Sequence, residues 1–271
     1  MVTGVAGILL AAGDGTRLGQ PKATVELGGI TLAERGVRLL RDAGADPVLV
    51  VTGAVPVELP GTLSVHNPQW ASGMGSSLAV GLRALAGGAP GDGAGNGVAA
   101  VVIALADQPL IGPEAVRRLV AAHDAGATVA VAAYAGKPRN PVLIDRVHWA
   151  TVLETAGGDT GARPFLRAHS DLVTLVECGD VGSADDIDTP EDLARVRAKL
   201  LGNLGPRGAA GWWIVLHTPV CRTIHHLPVV PTAADRRPAR WGSCPFCSAL
   251  PGSPLNASWD NSKKRALPLS A

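Results

Sequence analysis

The chain has 271 residues, of which 46% are hydrophobic, 17% are charged and 3% are aromatic. Its net charge of +1 is unevenly divided, because residues 1–202 carry 16 Lys and Arg against 21 Asp and Glu, whereas residues 203–271 carry 8 against 2. The slightly acidic charge of residues 1–202 excludes a basic nucleic-acid-binding domain. The sequence has no run of about 18 apolar residues that would span a membrane, and four scattered cysteines are too few for a disulfide framework. Because the N-terminal sequence also lacks the pattern of a signal peptide, we expect a cytoplasmic protein.

The first half of the chain alternates apolar runs with segments of helical spacing. Continuous apolar runs predict buried strands at residues 5–11 and 47–52, and a short third strand is predicted at 63–66. Helical spacing predicts helices at residues 31–43 and 75–85. Glycine-rich loops follow the first strand, at 13–19, and the second helix, at 87–97.

The second half continues the same alternation. Strands are predicted at residues 98–105, 128–133, 140–144 and 172–177, and helices at 113–125, 161–169 and 189–200. This pattern predicts an α/β fold, with a mostly parallel sheet that is covered by helices on both faces. Ligands bind such sheets beyond the carboxyl ends of the strands, so the loops after Ala11 and Leu105 are the predicted site.

The loop from Leu10 to Lys22 contains the strongest chemical signal. Glycines at 13, 15 and 19 allow the backbone to turn tightly and to direct its N–H groups at a polyanion. Arg17 and Lys22 add fixed positive charge, which forms strong hydrogen bonds with phosphate. We therefore predict phosphate binding, rather than an ordinary connection with surface basic residues.

Two other phosphate-binding motifs do not fit this loop. The dinucleotide fingerprint requires a third glycine where Leu18 stands. The P-loop requires lysine directly after its second glycine, but Gln20 follows Gly19.

Two carboxylates are candidate metal ligands. Asp107 ends the most apolar predicted strand, where a lone carboxylate is costly without a cation or hydrogen-bond donors, and oxygen donors suit Mg²⁺. Asp188 directly precedes a predicted helix. From its position alone, Asp188 is as good a candidate for a helix cap as for a metal ligand.

These segments together resemble the MobA-like nucleotidyltransferases. The resemblance extends in order from about residue 7 to residue 200, and it includes the glycine loop with Pro21-Lys22, the Asp107-Gln108-Pro109 turn and the segment 186–190. Further matching segments lie at residues 67–78, 140–143 and 158–163. Ala12, in a Leu-Ala-Ala-Gly sequence, is typical of the molybdenum cofactor cytidylyltransferase branch, which transfers CMP from CTP to molybdopterin.

The resemblance implies a Rossmann-like nucleotidyltransferase fold and assigns roles within it. Catalysis would depend on Lys22, Arg17 and Asp107, and Mg²⁺ would be held by Asp107 and Asp188. The acceptor, a phosphorylated pterin, would contact Asn140, Asp159 and Arg163. The nucleotide would contact Leu10, Ala11, Ala12, Gly13, Gly15, Arg17, Lys22, Ser76 and Ser77.

Some of these assignments have alternatives. Ser76 and Ser77 are equally suited to plain helix capping, and Asp159 and Arg163 to a local ion pair. The chain also departs from the family at Gly75, where serine is usual, and at Arg139-Asn140, where Gly-His is common. Both departures fall in regions that would face the acceptor.

We divide the chain into a nucleotidyltransferase domain at residues 1–201 and a weakly folded or disordered tail at 202–271. The tail holds four of the six Trp and three of the four Cys, without a sustained period. Cys244 and Cys247 have zinc-ligand spacing, but no second pair matches them.

Three functions remain open from the sequence. The first is the Mg²⁺-dependent transfer of CMP to molybdopterin. The second is a nicotine-blue-type NAD(P)H oxidoreductase on the same fold, against which the absent dinucleotide fingerprint counts. The third is a non-catalytic nucleotide-binding partner of a molybdoenzyme, which the joint presence of Lys22, Asp107 and Asp188 disfavours.

Overall fold

The computed structural model describes residues 4–87 and 97–202. The strands are β1 (Gly4–Ala11), β2 (Val48–Thr52), β3 (Leu63–His66), β4 (Val98–Leu105), β5 (Val129–Tyr134), β6 (Lys137–Asp145) and β7 (Val173–Glu177). The α-helices are α1 (Leu32–Asp42), α2 (Met74–Gly87), α3 (Pro113–Asp124), α4 (Trp149–Thr155), α5 (Arg163–Ala168) and α6 (Pro190–Gly202).

Seven strands form one sheet in the order β3-β2-β1-β4-β6-β5-β7. Every neighbouring pair is parallel except for the two that involve β6, which runs antiparallel to both β4 and β5. The predicted mostly parallel sheet is therefore confirmed. The single reversed strand brings the beginning of β6, rather than its end, beside the carboxyl ends of β4 and β5.

Successive residues of the central strands enter two separate cores, as expected from the period of two in a strand. On one face, Leu9 of β1 packs with the apolar sides of α1 and α3. On the other face, Ile8 and Leu10 pack with α2, α4 and α5. Helices therefore cover both faces, as predicted, and the strands that are buried on both faces are continuous apolar runs for that reason.

A third and smaller core attaches α6 to the glycine loop. It contains Leu18, Val25, Leu27, Leu32, Ile187, Leu193 and Val196. Because Ile187 is fully buried in this cluster, its neighbours Asp186 and Asp188 are held beside the loop.

The predicted elements appear with small shifts at their ends, and one helix was not predicted. Helix α4 has seven residues, and only Trp149 and Val152 are buried. Two buried apolar residues are too few to produce a recognisable helical spacing in the sequence.

Part of the sequence analysis concerns residues beyond those described. The predicted loop at 87–97 and the tail from residue 203, including its cysteine pair, lie largely or wholly outside the described residues. Within the described ranges, no helix is both long enough and apolar enough to cross a membrane.

Candidate functional site

A cleft of about 1430 Å³ opens at the carboxyl ends of β1 and β4. These strands are parallel neighbours with Leu10 opposite Leu105, and Ala106 N donates to Leu10 O at 3.1 Å. The loops that follow the two strands therefore face each other, as predicted. Of the residues proposed from the sequence, those lining the cleft are Leu10, Ala11, Ala12, Gly13, Gly15, Arg17, Lys22, Ser77, Asp107, Asn140, Asp159, Arg163 and Asp188.

The glycine loop is a tight backbone turn. Gly15 O accepts hydrogen bonds from Leu18 N at 2.8 Å and from Gly19 N at 2.9 Å. Gly15 has a φ of +65°, and a Cβ at this position would lie 2.0 Å from Gln20 O. Only glycine fits there without moving the backbone. The loop is thus closed by its own hydrogen bonds before any ligand binds.

Lys22 connects this loop to two carboxylates from distant parts of the chain. Its Nζ donates to Asp107 Oδ2 at 2.7 Å and also to Asp188 Oδ1. Burial disfavours the charged ammonium, but the charges and hydrogen bonds of the two carboxylates outweigh it, so the pKa of Lys22 is raised. The raised pKa keeps the ammonium of Lys22 charged. Its side chain is 21% exposed and lines the cleft, so a ligand in the cleft can reach it.

Asp188 is available to Lys22 because another residue caps α6. Thr189 Oγ1 accepts from Asp192 N at 3.2 Å, and Asp192 Oδ2 accepts from Thr189 N at 3.0 Å. Asp188 Oδ2 instead forms an ion pair with Arg17 Nη2 at 3.0 Å. The hydrogen bond from Lys22 holds the pKa of Asp188 below its ordinary value. Thr189, rather than Asp188, is therefore the cap.

The acidic pair has donor atoms that fit Mg²⁺. Asp107 Oδ1 is buried, and no hydrogen-bond partner for it lies among the described residues. In the same residues, no group of three or more His, Cys, Asp and Glu side chains could hold a metal ion. Mg²⁺ commonly takes one or two carboxylates and completes its shell with water and substrate phosphates. Asp107 and Asp188 match that arrangement.

Two further contacts hold the carboxylates in place, and the sequence did not reveal them. Ile187 N donates to Asp107 O at 2.9 Å, and Gln108 Nε2 donates to Asp186 Oδ1 at 2.6 Å. The turn after β4 and the segment before α6 are therefore bonded to each other at two points, in addition to their shared bonds to Lys22. Gln108 is 4% exposed, and its position directly after a predicted metal ligand is the one feature of the sequence that could have indicated it.

Ser76 and Ser77 are engaged by a buried asparagine. Asn67 Nδ2 donates to Ser76 Oγ at 2.8 Å and to Ser77 Oγ at 3.0 Å, and Ser76 Oγ donates to Gly73 O at 2.8 Å. Neither hydroxyl accepts from a helix N–H among these bonds, so neither serine acts as the cap of α2. Ser77 lines the cleft, whereas Ser76 is not among its lining residues.

Asn140, Asp159 and Arg163 belong to the part of the cleft that β6, α5 and the turn before α5 line, which we call its second end, as distinct from the glycine-loop end. Asn140 is in the first half of β6, Asp159 is in a 3₁₀ turn, and Arg163 begins α5. No ion pair joins Asp159 to Arg163 in the described part of the chain. The alternative of a local ion pair therefore does not hold in this structure.

The start of α2, which also lines the cleft, packs closely against the turn that contains Asp159. A Cβ at Gly75 would lie 2.5 Å from Gly157 N, and one at Gly73 would lie 2.4 Å from Gly158 C. Backbone therefore packs directly on backbone at this point. A serine at position 75, which is usual in the resembled family, would collide with Gly157.

Comparison with known proteins identifies similar chains. The family description "MobA-like NTP transferase domain" matches residues 7–173. The nicotine blue oxidoreductase of Paenarthrobacter nicotinovorans is 36% identical over 206 residues, which cover 71% of this chain and 96% of that protein. A "Probable molybdenum cofactor guanylyltransferase" of Opitutus terrae is 52% identical over 50 residues, which cover 18% of this chain and 25% of that protein.

A solved structure has the same fold. The homologue of Mycobacterium tuberculosis Rv0371c from Mycobacterium sp. strain JC1 superposes with a TM-score of 0.60 at 28% sequence identity. The alignment covers 73% of this chain and 98% of that one.

Proposed function

The chain belongs to the family of MobA-like NTP transferase domains, and from this premise we propose that it transfers a nucleoside monophosphate, CMP, from CTP to molybdopterin and releases pyrophosphate. The coarser assignment, a nucleotidyltransferase-family enzyme, follows from the family. The choice of CTP, of the phosphorylated pterin and of Mg²⁺ is our proposal. A molybdoenzyme that receives the product is the partner we expect.

One observation carries the proposal. The ammonium of Lys22 lies between two carboxylates, Asp107 and Asp188, at the mouth of a glycine loop. This arrangement provides fixed positive charge, oxygen ligands for a cation and a turn that admits a polyphosphate. Those are the requirements for phosphoryl transfer, in which positioning and charge neutralisation supply most of the catalysis.

The reaction needs little covalent participation by the protein. An oxygen of the acceptor phosphate attacks the α-phosphorus of the NTP, and the bond from that phosphorus to the oxygen bridging to the β-phosphate breaks, so pyrophosphate leaves. The nucleophile is already ionised, so no general base is required. Lys22 and Arg17 hold positive charge where negative charge accumulates on the phosphates.

The metal would be held by this chain's own carboxylates. Asp107 and Asp188 would bind Mg²⁺, which supplies additional positive charge to the phosphates when bound. Gln108 and Thr189 position these carboxylates, the first by bonding the Asp186 segment and the second by capping α6.

The Leu10-Ala11-Ala12-Gly13 sequence supports cytidine as the base, through resemblance to the cytidylyltransferase branch. The local identity to a molybdenum cofactor guanylyltransferase supports molybdopterin as the acceptor. Neither observation depends on the other, so the base and the acceptor can be tested separately.

The test is pyrophosphate release from each of the four NTPs with Mg²⁺, in the presence and absence of molybdopterin. We expect release from CTP only when molybdopterin is present. Lys22→Ala should lower release by at least about 10²–10³-fold, and Arg38→Ala, at an exposed position of α1 that is not among the residues lining the cleft, serves as the control. Release from another NTP would correct the base, and release from none would overturn the proposal.

The identity to nicotine blue oxidoreductase supports a second candidate, NAD(P)H-dependent reduction of a quinonoid dye. The absence of the dinucleotide fingerprint in the glycine loop counts against it. Consumption of NADPH with such a dye, without pyrophosphate release from any NTP, would favour this candidate over the first.

A further inference from the structure

The end of the cleft away from the glycine loop displays three guanidinium groups. They belong to Arg139 at the start of β6 and to Arg163 and Arg167 in α5, and all three residues are exposed. Within the described ranges, none of them forms a hydrogen bond or an ion pair. By contrast, Arg17 at the other end is paired with Asp188. These three charges are therefore available to a ligand.

The charge balance at this end favours an anion. Asp159 is the only acidic residue among the described residues that line this part of the cleft, which belong to β5, β6, β7, α5 and the turn before α5. Three cations against one carboxylate create a positive potential, which attracts anionic ligands. Guanidinium groups also match phosphate oxygens with two parallel hydrogen bonds.

Strands β5, β6 and β7 and helix α5 also give the cleft an apolar lining, which we call its apolar floor. It consists of Val131, Val142, Leu166, Val173 and Leu175. Leu175 is 52% exposed although it is a large hydrophobic residue. Apolar side chains that are left open inside a cleft suit a ligand with a flat apolar body.

We propose that Arg139 and Arg167, together with Arg163, select an acceptor that combines a phosphomonoester with a planar ring system. This inference rests on the proposed function, since it assigns to this end of the cleft the acceptor of that reaction. Arg139 and Arg167 are specificity-determining residues in this assignment. The apolar floor holds the ring, and the arginines hold the phosphate.

The test uses two probes that differ only by a phosphate, FMN and riboflavin. Binding of each to the full chain is measured by flavin fluorescence anisotropy, without nucleotide or metal. We expect FMN to bind at least about tenfold more tightly than riboflavin, because charge-assisted hydrogen bonds to phosphate are strong. The double variant R139Q/R167Q should reduce FMN affinity to that of riboflavin, and R38Q, at an exposed position of α1, should not.

Each other outcome overturns the inference. The inference is overturned if the two probes bind with equal affinity, or if FMN shows no saturable binding at millimolar concentration. It is also overturned if R139Q/R167Q leaves FMN binding unchanged. Loss of FMN binding in Lys22→Ala would place the phosphate at the glycine loop instead. Because this readout needs no turnover, it is independent of whether pyrophosphate is released. Circular dichroism checks the fold of the double variant, whose two arginines lack structural partners.

Discussion

The two ends of the cleft hold their charges differently. At the glycine-loop end, Lys22 and Arg17 are bonded to carboxylates of two segments that are hydrogen-bonded to each other. At the end that we propose for the acceptor, Arg139 and Arg167 are exposed, and their side chains have no partner within the described residues. A bonded charge is preorganised and costs little reorganisation during reaction. A free charge adds binding energy only when its ligand arrives, so we expect chemistry at the first end and selection at the second.

The largest effect should come from the preorganised end. We expect Lys22→Ala to lower the rate of NTP-dependent pyrophosphate release by at least about 10²–10³-fold, the loss that follows removal of one preorganised donor. Steady-state kinetics measure the loss, and the melting temperature shows whether the fold persists. A variant with near-normal turnover would remove Lys22 from the catalytic residues.

A smaller effect should follow Asp107→Asn. The amide keeps the shape but loses the charge, so we expect the Mg²⁺ titration of activity to shift to higher concentrations, with a rate loss of about 10²-fold. Asp124→Asn, an exposed residue that ends α3, is the control. An unchanged titration would show that Asp107 does not bind the metal.

Gly75→Ala tests the contact between the two ends. Its Cβ would lie 2.5 Å from Gly157 N, so we expect destabilisation of about 1–3 kcal/mol, as for other overpacked sites. The displaced turn carries Asp159, so KM for the acceptor should rise while KM for the nucleotide changes little. Gly87→Ala, in the same helix with open space around its Cβ, is the control. Equal changes in both KM values would mean that the two ends are not separable.

The smallest effect should come from Thr189→Ala. Loss of a helix cap costs about 1 kcal/mol, which urea denaturation can measure. Because Asp188 is adjacent, we also expect a decrease of a few fold in turnover and no change in FMN binding. A fall in FMN affinity would contradict the separation of the two ends.

The glycine loop and Asp107 could be predicted from the sequence because their signals are local. A buried strand followed by clustered glycines, or by a lone carboxylate, is visible within about ten residues. The sequence alone could not distinguish whether Asp188 caps α6 or faces the cleft. The structure was needed because it shows that Thr189 caps α6. Asn67 and Gln108 were missed as positioning residues because a buried amide has no periodic signature. The joint role that we propose for Arg139 and Arg167 has no local sequence signal, because the two residues come from β6 and α5.

The reversed direction of β6 has a consequence for how this protein can diversify. Glu177 accepts hydrogen bonds from Ala135 N and Gly136 N, each at 3.0 Å, and so anchors the β5–β6 turn from a neighbouring strand. The residues that follow the turn, up to Arg139, are exposed. Mutations can accumulate at this hairpin tip without disturbing either core, as hairpin connections tolerate change. On the proposed assignment of Arg139 and Asn140 to the acceptor, we therefore expect that grafting residues 137–140 exchanges acceptor preference and leaves the residues of the glycine-loop end unchanged.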